Sequence, residues 1–237
     1  AEAISKVLYP SDDHMQGKQL RLKQFYFLAS ATMQSMLKRH KQIFSDLHTL
    51  PDHVVIQINE THPALAIPEL MRILMDEEGF GWDEAYQIVK KMFHYTNHTI
   101  MTEAMECWDE NMFRFLLPRI YQIVCAFNEK YCNKIRAYYS HDEEKVRSMA
   151  IIGNNEIRMA NLCVAVCRRV NGVSNLHGDI LKEKIFNSSY RIFPQKYLAI
   201  TNGITHRRWF GLANQGLYHL AKEYIKGDIL KDYHLFE

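Results

Sequence analysis

The chain has 237 residues, enough for one large domain or about one and a half ordinary ones. Lys plus Arg number 29 and Asp plus Glu 27, and the net charge of +2 gives no sign of a nucleic-acid or anionic-membrane partner. No apolar run approaches the length of a membrane span and the first residues do not form a signal peptide. The five cysteines have irregular spacings, which fits reduced thiols in a cytoplasmic protein. Cys163 and Cys167 lack a second pair that would complete a zinc site.

The first long element is an amphipathic helix. Residues 5–18 have the composition of a loop, which contains Asp12 and Asp13 and which Gly17 closes. Residues 20–41 carry apolar side chains at helical spacing, which predicts a helix. The basic side chains of residues 38–41 suit the negative end of its dipole. We interpret them as a solvated helix end in preference to a phosphate-binding patch.

An apolar strand that stops at polar residues organises the rest of the chain. Residues 54–58 predict a buried strand, which ends at Asn59-Glu60-Thr61-His62. Pro68 fits the first position of a helix over residues 68–78, because proline has no N–H to lose there, and Gly79 ends that helix. Ligands of open α/β sheets bind beyond the carboxyl ends of strands, so the polar residues form a candidate site.

A second strand of the same kind follows. Asp83 can cap the next helix, and the aromatic and β-branched residues 93–99 predict a short strand with a polar end. Strand, helix, helix and strand make a βαβ-like unit. If its strands are parallel, they bring four polar residues to one edge of the sheet: Glu60, His62, Asn97 and His98.

The remaining elements complete a helix-rich α/β pattern. We first expect one or two short helices in residues 102–117, a long helix from Pro118 to Tyr138 and a helix over residues 141–150. A turn at residues 153–155, an apolar strand or helix over residues 162–170, a break at residues 171–173 and a helix over residues 176–186 come next. The last elements are a strand over residues 197–201 that stops at Asn202-Gly203, a helix capped by Thr205 that carries Arg207-Arg208-Trp209, and a final helix capped by Asn214 and followed by Gly227.

The polar strand ends admit more than one chemistry. Glu60, His62 and His98 could form an acid–base or a metal constellation, but a histidine at a strand end is more often a structural hydrogen-bonding group. The sequence has no H-E-x-x-H pattern, no Gly-rich phosphate loop, no G-x-S-x-G elbow and no paired Cys/His nucleophile. So many directional hydrogen-bonding groups suit a neutral polyhydroxylated ligand, such as a sugar, better than a phosphate or a metal.

Several blocks of sequence carry a family resemblance. They are Lys6-Val7-Leu8-Tyr9-Pro10, Leu20-Arg21-Leu22-Lys23-Gln24, residues 57–70, Tyr95-Thr96-Asn97-His98-Thr99, Leu116-Leu117-Pro118-Arg119, Met159-Ala160-Asn161-Leu162-Cys163, Val170-Asn171-Gly172-Val173, Thr201-Asn202-Gly203-Ile204-Thr205 and Arg207-Arg208-Trp209. Together they resemble the α-glucan phosphorylases of glycogen, starch and maltodextrin. The resemblance implies part of a GT-B architecture with two Rossmann-like lobes. In an internal fragment of this kind, residues 1–200 would be the second half of the N-terminal lobe and residues 201–237 the beginning of the C-terminal lobe.

For the full-length protein, the resemblance implies a glycosyltransferase of the EC 2.4.1.1 type. Such an enzyme releases α-glucose 1-phosphate from an α-1,4-glucan, such as glycogen or maltodextrin, with inorganic phosphate and with retention. The family uses pyridoxal 5′-phosphate, but its lysine segment has no match in this chain, so we expect the 237 residues alone to be inactive. The family also implies a homodimer and no metal.

The resemblance implies a partial sugar site. His98 looks like the histidine that hydrogen-bonds the glucosyl unit at the cleavage point, and Asn202 resembles the asparagine that holds the same sugar from the lobe junction. Glu60 and His62 resemble the acidic residue and the histidine that line the pocket beside the sugar. Val173 looks like a wall of that pocket.

Further positions resemble a gate and a cofactor neighbour. Asp12 and Asp13 lie in a stretch similar to the family's gating loop, and Trp209 resembles the tryptophan that packs near pyridoxal phosphate. Five positions carry a residue other than the usual one of the family, and the substrate specificity of the chain is not predicted from them. They are Asp13 where the family usually has Asn, Glu60 where it has Asp, Thr102 where it has Pro, Gly178 where it has Ser and His206 where it has Pro.

The alternative is a non-catalytic oligosaccharide-binding or interaction module that keeps the sugar cleft without turnover. Such a module would bind oligosaccharides weakly and lose that binding on His98→Ala. An isolated half-lobe would also expose apolar surface that its partner covers, so we expect self-association.

Overall fold

The structure is a computed structural model that describes residues 2–140 and 142–236, apart from the side chain of Thr102. It is a helix-rich α/β protein with a parallel sheet, as the sequence predicts. The chain divides into two compact units, Ala1–Ile200 and Thr201–Glu237. The assignment of these units to lobes stays a prediction. Within the described ranges, no helix is both long enough and apolar enough to cross a membrane.

The elements are numbered in chain order. The strands are β1 (Ile56–Asn59), β2 (Phe93–Thr96), β3 (Cys107–Asp109), β4 (Ile152–Gly153), β5 (Glu156–Arg158), β6 (Val170–Gly172) and β7 (Tyr197–Ala199). The α-helices are α1 (Glu2–Ser5), α2 (Met15–Ile43), α3 (Leu50–His53), α4 (Ala66–Arg72), α5 (Trp82–Met92), α6 (Glu110–Leu116), α7 (Pro118–Tyr138), α8 (Glu143–Met149), α9 (Met159–Val166), α10 (Asn175–Ile180), α11 (Asn187–Ile192) and α12 (Gln215–Tyr224). Short π-helices are Ile73–Glu77, Leu181–Ile185 and Arg207–Leu212, and 3₁₀ turns are Leu47–Thr49, Thr102–Ala104, Pro194–Lys196 and Tyr233–Phe236.

The parallel sheet of the first unit has the strand order β1-β2-β6-β7. The strands predicted near residues 54–58, 93–99 and 197–201 are confirmed over fewer residues, and β1 extends to Asn59, one residue beyond its predicted end. The predicted break at residues 171–173 is wrong, because Asn171 pairs with strands on both sides. The ambiguous run before it is helical as α9 and becomes extended at β6, so it contains both structures that its periodicity allowed.

The two faces of this sheet differ. One face carries buried apolar side chains, including Ile58 and Tyr95. On the other face the Gln57 amide donates to the Thr96 hydroxyl (2.7 Å), which donates to the Asn171 side-chain oxygen (2.9 Å). Parallel sheets normally bury two apolar faces, so this polar row across three strands is unusual. The members of this row hydrogen-bond to one another, so their polar groups are paired although Gln57 is exposed.

Helix α2 begins earlier than the sequence predicts. The prediction of a loop up to residue 18 is wrong, because the His14 ring caps the helix by accepting the Gly17 main-chain N–H (3.0 Å). A Cβ at Gly17 would lie 1.9 Å from the Ser11 carbonyl oxygen, so only glycine allows the loop to fold back on the first turn. The basic end of α2 is only partly solvated. His40 is buried, with Nε2 3.1 Å from the Thr49 hydroxyl.

The helices after β1 are confirmed, but their starts differ from the prediction. Pro68 is the third residue of α4, where a missing N–H still costs no helical hydrogen bond. The π-helix Ile73–Glu77 continues α4, Glu78 is its C-cap, and Gly79 directly after the cap takes the expected left-handed conformation (φ 76°). Asp83 is not the cap of α5. Gly81 holds that position, and Asp83 lies in the first turn, where its charge suits the helix dipole.

A small antiparallel sheet was not foreseen. Its order is β3-β5-β4, and β3 lies where the sequence predicts only helices. The predicted turn at residues 153–155 is confirmed as a hairpin between β4 and β5. Both of its central residues, Asn154 and Asn155, have positive φ (57° and 60°), which matches the twist of a two-residue hairpin.

The long helices supply most of the core. The predicted helix from Pro118 to Tyr138 is confirmed as α7, and α8 confirms the next one, whose predicted first residue, His141, lies outside the described residues. Buried Glu69 ties α4 to α2. Its carboxylate accepts the Tyr26 (2.8 Å) and Ser30 (2.7 Å) hydroxyls and pairs with Arg72 (2.8 Å). Burial, with Glu69 beside the phenol, raises the pKa of Tyr26 to about 12.

The second unit contains the π-helix Arg207–Leu212, α12 and the 3₁₀ turn Tyr233–Phe236. Asn214 caps α12 as predicted, since its side chain accepts the Leu217 main-chain N–H (3.2 Å). The prediction that Thr205 caps the preceding helix is wrong, because His206 holds the capping position. Large apolar side chains of this unit are exposed, for example Ile204 and Tyr224.

Candidate functional site

The carboxyl edge of the parallel sheet brings two of the predicted site residues together. Because β1 and β2 are parallel, Glu60 and His98 follow neighbouring strand ends. The Glu60 main-chain N–H donates to the Thr96 carbonyl (3.0 Å), and the Glu60 carboxylate accepts the His98 main-chain N–H (2.9 Å). The two strand ends are therefore joined beyond their last paired residues.

Glu60 makes this connection from a strained backbone conformation. Its φ is 61°, in the left-handed region that favours glycine. The strain costs a residue with a Cβ roughly 1 kcal/mol. Since the carboxylate is engaged with the main chain of His98, Glu60 positions the histidine.

The imidazole of His98 has a defined orientation. It is exposed, and its Nε2 lies 2.5 Å from the Asn59 side-chain oxygen. An amide oxygen only accepts hydrogen bonds, so Nε2 carries the proton and the neutral ring has its lone pair at Nδ1. Nδ1 can then accept a hydrogen bond from a ligand hydroxyl, which is what a sugar offers.

The other two residues expected at this edge take different positions. The prediction for Asn97 is wrong, because its side chain is fully buried and donates to the Tyr95 hydroxyl (3.0 Å) below the edge. His62 is exposed, and its ring centre lies 5.4 Å from that of Phe25 on α2. His62 instead lines a cavity beside the strand ends.

This cavity has a volume of about 600 Å³. The residues that matter here are Tyr9, Asp12, Arg21, His62, Glu106 and Trp108. Asp12 forms an ion pair with Arg21, whose guanidinium also donates to the Pro10 carbonyl (2.7 Å). Asp13 lies in the exposed loop instead, where its carboxylate accepts the Ser11 hydroxyl (2.5 Å). The structure thus places Asp12 and His62 at one cavity.

Glu106 is a candidate residue that the sequence did not reveal. Burial raises the pKa of its carboxyl to about 7; the Trp108 indole N–H (3.1 Å) opposes this rise, and the negative charge of Glu60 adds to it. A carboxyl that titrates near neutrality can donate or accept a hydrogen bond in the cavity. No signal pointed to it, because strand β3, which follows it directly, was not predicted.

Val173 lies directly after β6, at the same edge of the sheet, and is half-buried. Asn202 and Trp209 lie in the second unit, and both are exposed. Trp209 is 67% exposed, and its main-chain N–H donates to the Thr205 carbonyl (3.0 Å). The roles of these three residues stay predictions.

The described part of the chain offers no suitable lysine for the Schiff base that holds pyridoxal phosphate. Lys196 has the lowered pKa typical of lysines that form Schiff bases, because burial lowers its pKa to about 8. Its amino group, however, donates to the Val164 (2.5 Å) and Ala165 (3.4 Å) carbonyls at the end of α9, where it acts as a helix cap. Within residues 2–140 and 142–236, no group of three or more His, Cys, Asp or Glu side chains could hold a metal ion.

Comparison with known proteins supplies the family. The family model described as carbohydrate phosphorylase matches residues 1–237. The brain forms of glycogen phosphorylase from Rattus norvegicus and Homo sapiens are each 44% identical over 98% of this chain, and the liver form from Ovis aries is 45% identical over the same share. The chain spans 29% of the length of each of these relatives. On this evidence, the chain belongs to the carbohydrate phosphorylase family and corresponds to a part of a phosphorylase.

Proposed function

We propose that the protein containing this chain is an α-1,4-glucan phosphorylase. It transfers a glucosyl unit from the end of glycogen or maltodextrin to inorganic phosphate and releases α-glucose 1-phosphate with retention, the EC 2.4.1.1 type of reaction. The family membership supports the reaction class. The observation that carries the site is the joined strand ends of Glu60 and His98, which present an imidazole lone pair to a hydroxylated ligand.

In this proposal the first unit supplies one wall of a glucosyl site. Asn59 fixes the His98 ring, and Glu60 fixes its main chain, so Nδ1 accepts a hydrogen bond from a hydroxyl of the sugar at the cleavage point. Val173 forms the neighbouring wall. His62 and Asp12 line the cavity beside the sugar.

The remaining assignments follow the family resemblance. Asp13 belongs to the gating loop, Asn202 contacts the same sugar and Trp209 lies near the cofactor. We assign the chain to a GT-B architecture, with residues 1–200 in the N-terminal lobe and residues 201–237 at the start of the C-terminal lobe. We also propose a cytoplasmic homodimer for the whole protein.

The cofactor belongs to other parts of the phosphorylase. Pyridoxal 5′-phosphate supplies an acid–base phosphate group when bound. No described lysine of this chain suits its attachment, so we expect the 237 residues alone to have no phosphorylase activity.

The test is an assay of the full-length phosphorylase that contains this chain. With maltodextrin and inorganic phosphate, the unmodified protein releases glucose 1-phosphate, and His98→Ala lowers kcat/KM by roughly 100-fold because the sugar loses an oriented acceptor. His219→Ala, at an exposed position on α12, is the matched control and leaves the rate unchanged. Absence of glucose 1-phosphate with the unmodified protein would overturn the proposal.

A further inference from the structure

Helix α10, which follows β6, contains a buried histidine that no sequence motif singled out. His177 is 7% exposed, and its Nδ1 accepts the main-chain N–H of Val173 (3.2 Å). The His177 main-chain N–H donates in turn to the Ser174 hydroxyl (3.0 Å). The main chain of Val173 is therefore fixed by a side chain four residues later in the sequence.

Close main-chain packing surrounds this hydrogen bond. A Cβ at Gly172 would lie 2.8 Å from the Gly178 nitrogen and 3.1 Å from the His177 carbonyl carbon. Only a residue without a side chain lets the first turn of α10 approach the end of β6 so closely. The position of the His177 ring thus depends on a fixed strand-to-helix turn.

The turn lies beside His98. Thr96 pairs with Asn171, and the Asn97 main-chain N–H donates to the Asn171 carbonyl (3.0 Å). His98 and Val173 each follow the Thr96–Asn171 pair by two residues, beyond the ends of these neighbouring parallel strands. Adjacent strands are about 4.8 Å apart, so a shift of the Val173 main chain changes the wall next to the imidazole of His98.

We propose that His177 is a positioning residue of the glucosyl site, which holds the Val173 main chain beside His98 without contacting the sugar. This inference rests on the proposed function. Because Nδ1 accepts a hydrogen bond, the proton of the neutral ring is on Nε2, and this buried nitrogen has no partner in the part of the chain that the structure describes. The acceptor is the feature of the ring that matters here, since its loss would leave the Val173 N–H unpaired.

The kinetic test uses two substitutions in the full-length phosphorylase. His177→Asn keeps an acceptor near the position of Nδ1, whereas His177→Leu removes it. We expect His177→Leu to raise KM for glucose 1-phosphate in the direction of glucan synthesis about tenfold with a smaller change in kcat, and His177→Asn to stay within about threefold of the unmodified enzyme.

A purely structural role would give a different pattern. The control is Phe127→Leu, at a buried position of α7, which we expect to lower stability and to leave KM unchanged. Equal KM values for His177→Leu and the unmodified enzyme overturn the inference. Equal impairment of His177→Leu and His177→Asn also overturns it, because the acceptor would then not be the relevant feature.

A second measurement does not depend on activity. Hydrogen exchange by mass spectrometry on overlapping peptides from residues 170–180 of the full-length protein isolates the Val173 amide from its neighbours. We expect about tenfold faster exchange of one amide in His177→Leu and slow exchange in His177→Asn. If the unmodified protein releases no glucose 1-phosphate, the proposed function fails, and unchanged exchange in His177→Leu separately overturns the role of His177.

Discussion

At the residue scale, Glu60 combines a favourable contact with an unfavourable backbone. Its carboxylate accepts the His98 main-chain N–H, and its φ of 61° is one that glycine adopts without strain. Both Glu60→Ala and Glu60→Gly lose the hydrogen bond, but only the glycine variant relieves the strain. We therefore expect Glu60→Gly to be more stable than Glu60→Ala by about 1 kcal/mol.

Urea unfolding of the two variants measures this difference. Glycine is the more flexible residue in the unfolded chain, and at an ordinary φ it would be the less stable of the pair. The exposed residue Val55, just before β1, is the control position with an ordinary φ. There Val55→Gly should be less stable than Val55→Ala. If Glu60→Ala has an unfolding free energy equal to or higher than that of Glu60→Gly, the strain at Glu60 is contradicted.

Glu106 predicts a pH dependence of stability. Its folded pKa of about 7 lies above its ordinary value of 4.5, so between these values the native state binds more protons than the unfolded state. The stabilisation by the bound proton is complete below the unfolded pKa and is lost as pH rises through the folded one. From pH 5 to pH 8, we expect the free energy of unfolding of the parent chain to fall by about 2–3 kcal/mol relative to that of Glu106→Gln.

The glutamine variant is a suitable reference because its side-chain oxygen can still accept the Trp108 indole N–H. Each pH needs a pair of denaturation curves, so that shifts from other titrating groups cancel in the difference. A difference in unfolding free energy that stays constant from pH 5 to pH 8 would show that Glu106 is ionised in the native state throughout.

At the element scale, the β4–β5 hairpin has a turn that its sequence only partly optimises. Asn154 and Asn155 both have positive φ, and the preferred pair for this turn is Asn-Gly. Asn155→Gly should therefore raise stability by about 0.5–1 kcal/mol, and Asn155→Ala should lower it by a similar amount. Thermal unfolding of the three chains checks the order. A midpoint for the alanine variant at or above that of the glycine variant would contradict this turn geometry.

Element length decided what the sequence could predict. Helices α2 and α7 repeat their apolar stripe over many turns, and β1 and β2 end at polar residues, so these elements and the Glu60–His98 edge were predicted correctly. Strand β3 has three residues, too few for an alternating pattern, so Glu106 was missed along with it. The burial of Asn97 depends on the Tyr95 hydroxyl beneath it, a tertiary contact that no local pattern encodes.

At the scale of the whole molecule, the parallel sheet is incompletely enclosed. Strand β1 is an edge strand among the described residues, and the face that carries Gln57 and Leu198 is exposed at these two residues. Unpaired strand edges and exposed apolar side chains both favour association. The relatives are more than three times as long as this chain, which spans 29% of each, so additional protein is present in them to cover such surfaces.

We therefore expect the 237-residue chain alone to self-associate. Val55, 69% exposed next to β1, adds apolar surface to the open edge, so Val55→Lys should shift the equilibrium towards monomer because a charged edge resists strand pairing. Leu8→Lys, at an 83% exposed position in the N-terminal segment, is the control for added charge away from the sheet. Light scattering across a concentration series measures the mean mass. A monomeric parent chain at every concentration would contradict the expectation, and equal effects of the two substitutions would show that the sheet edge is not the interface.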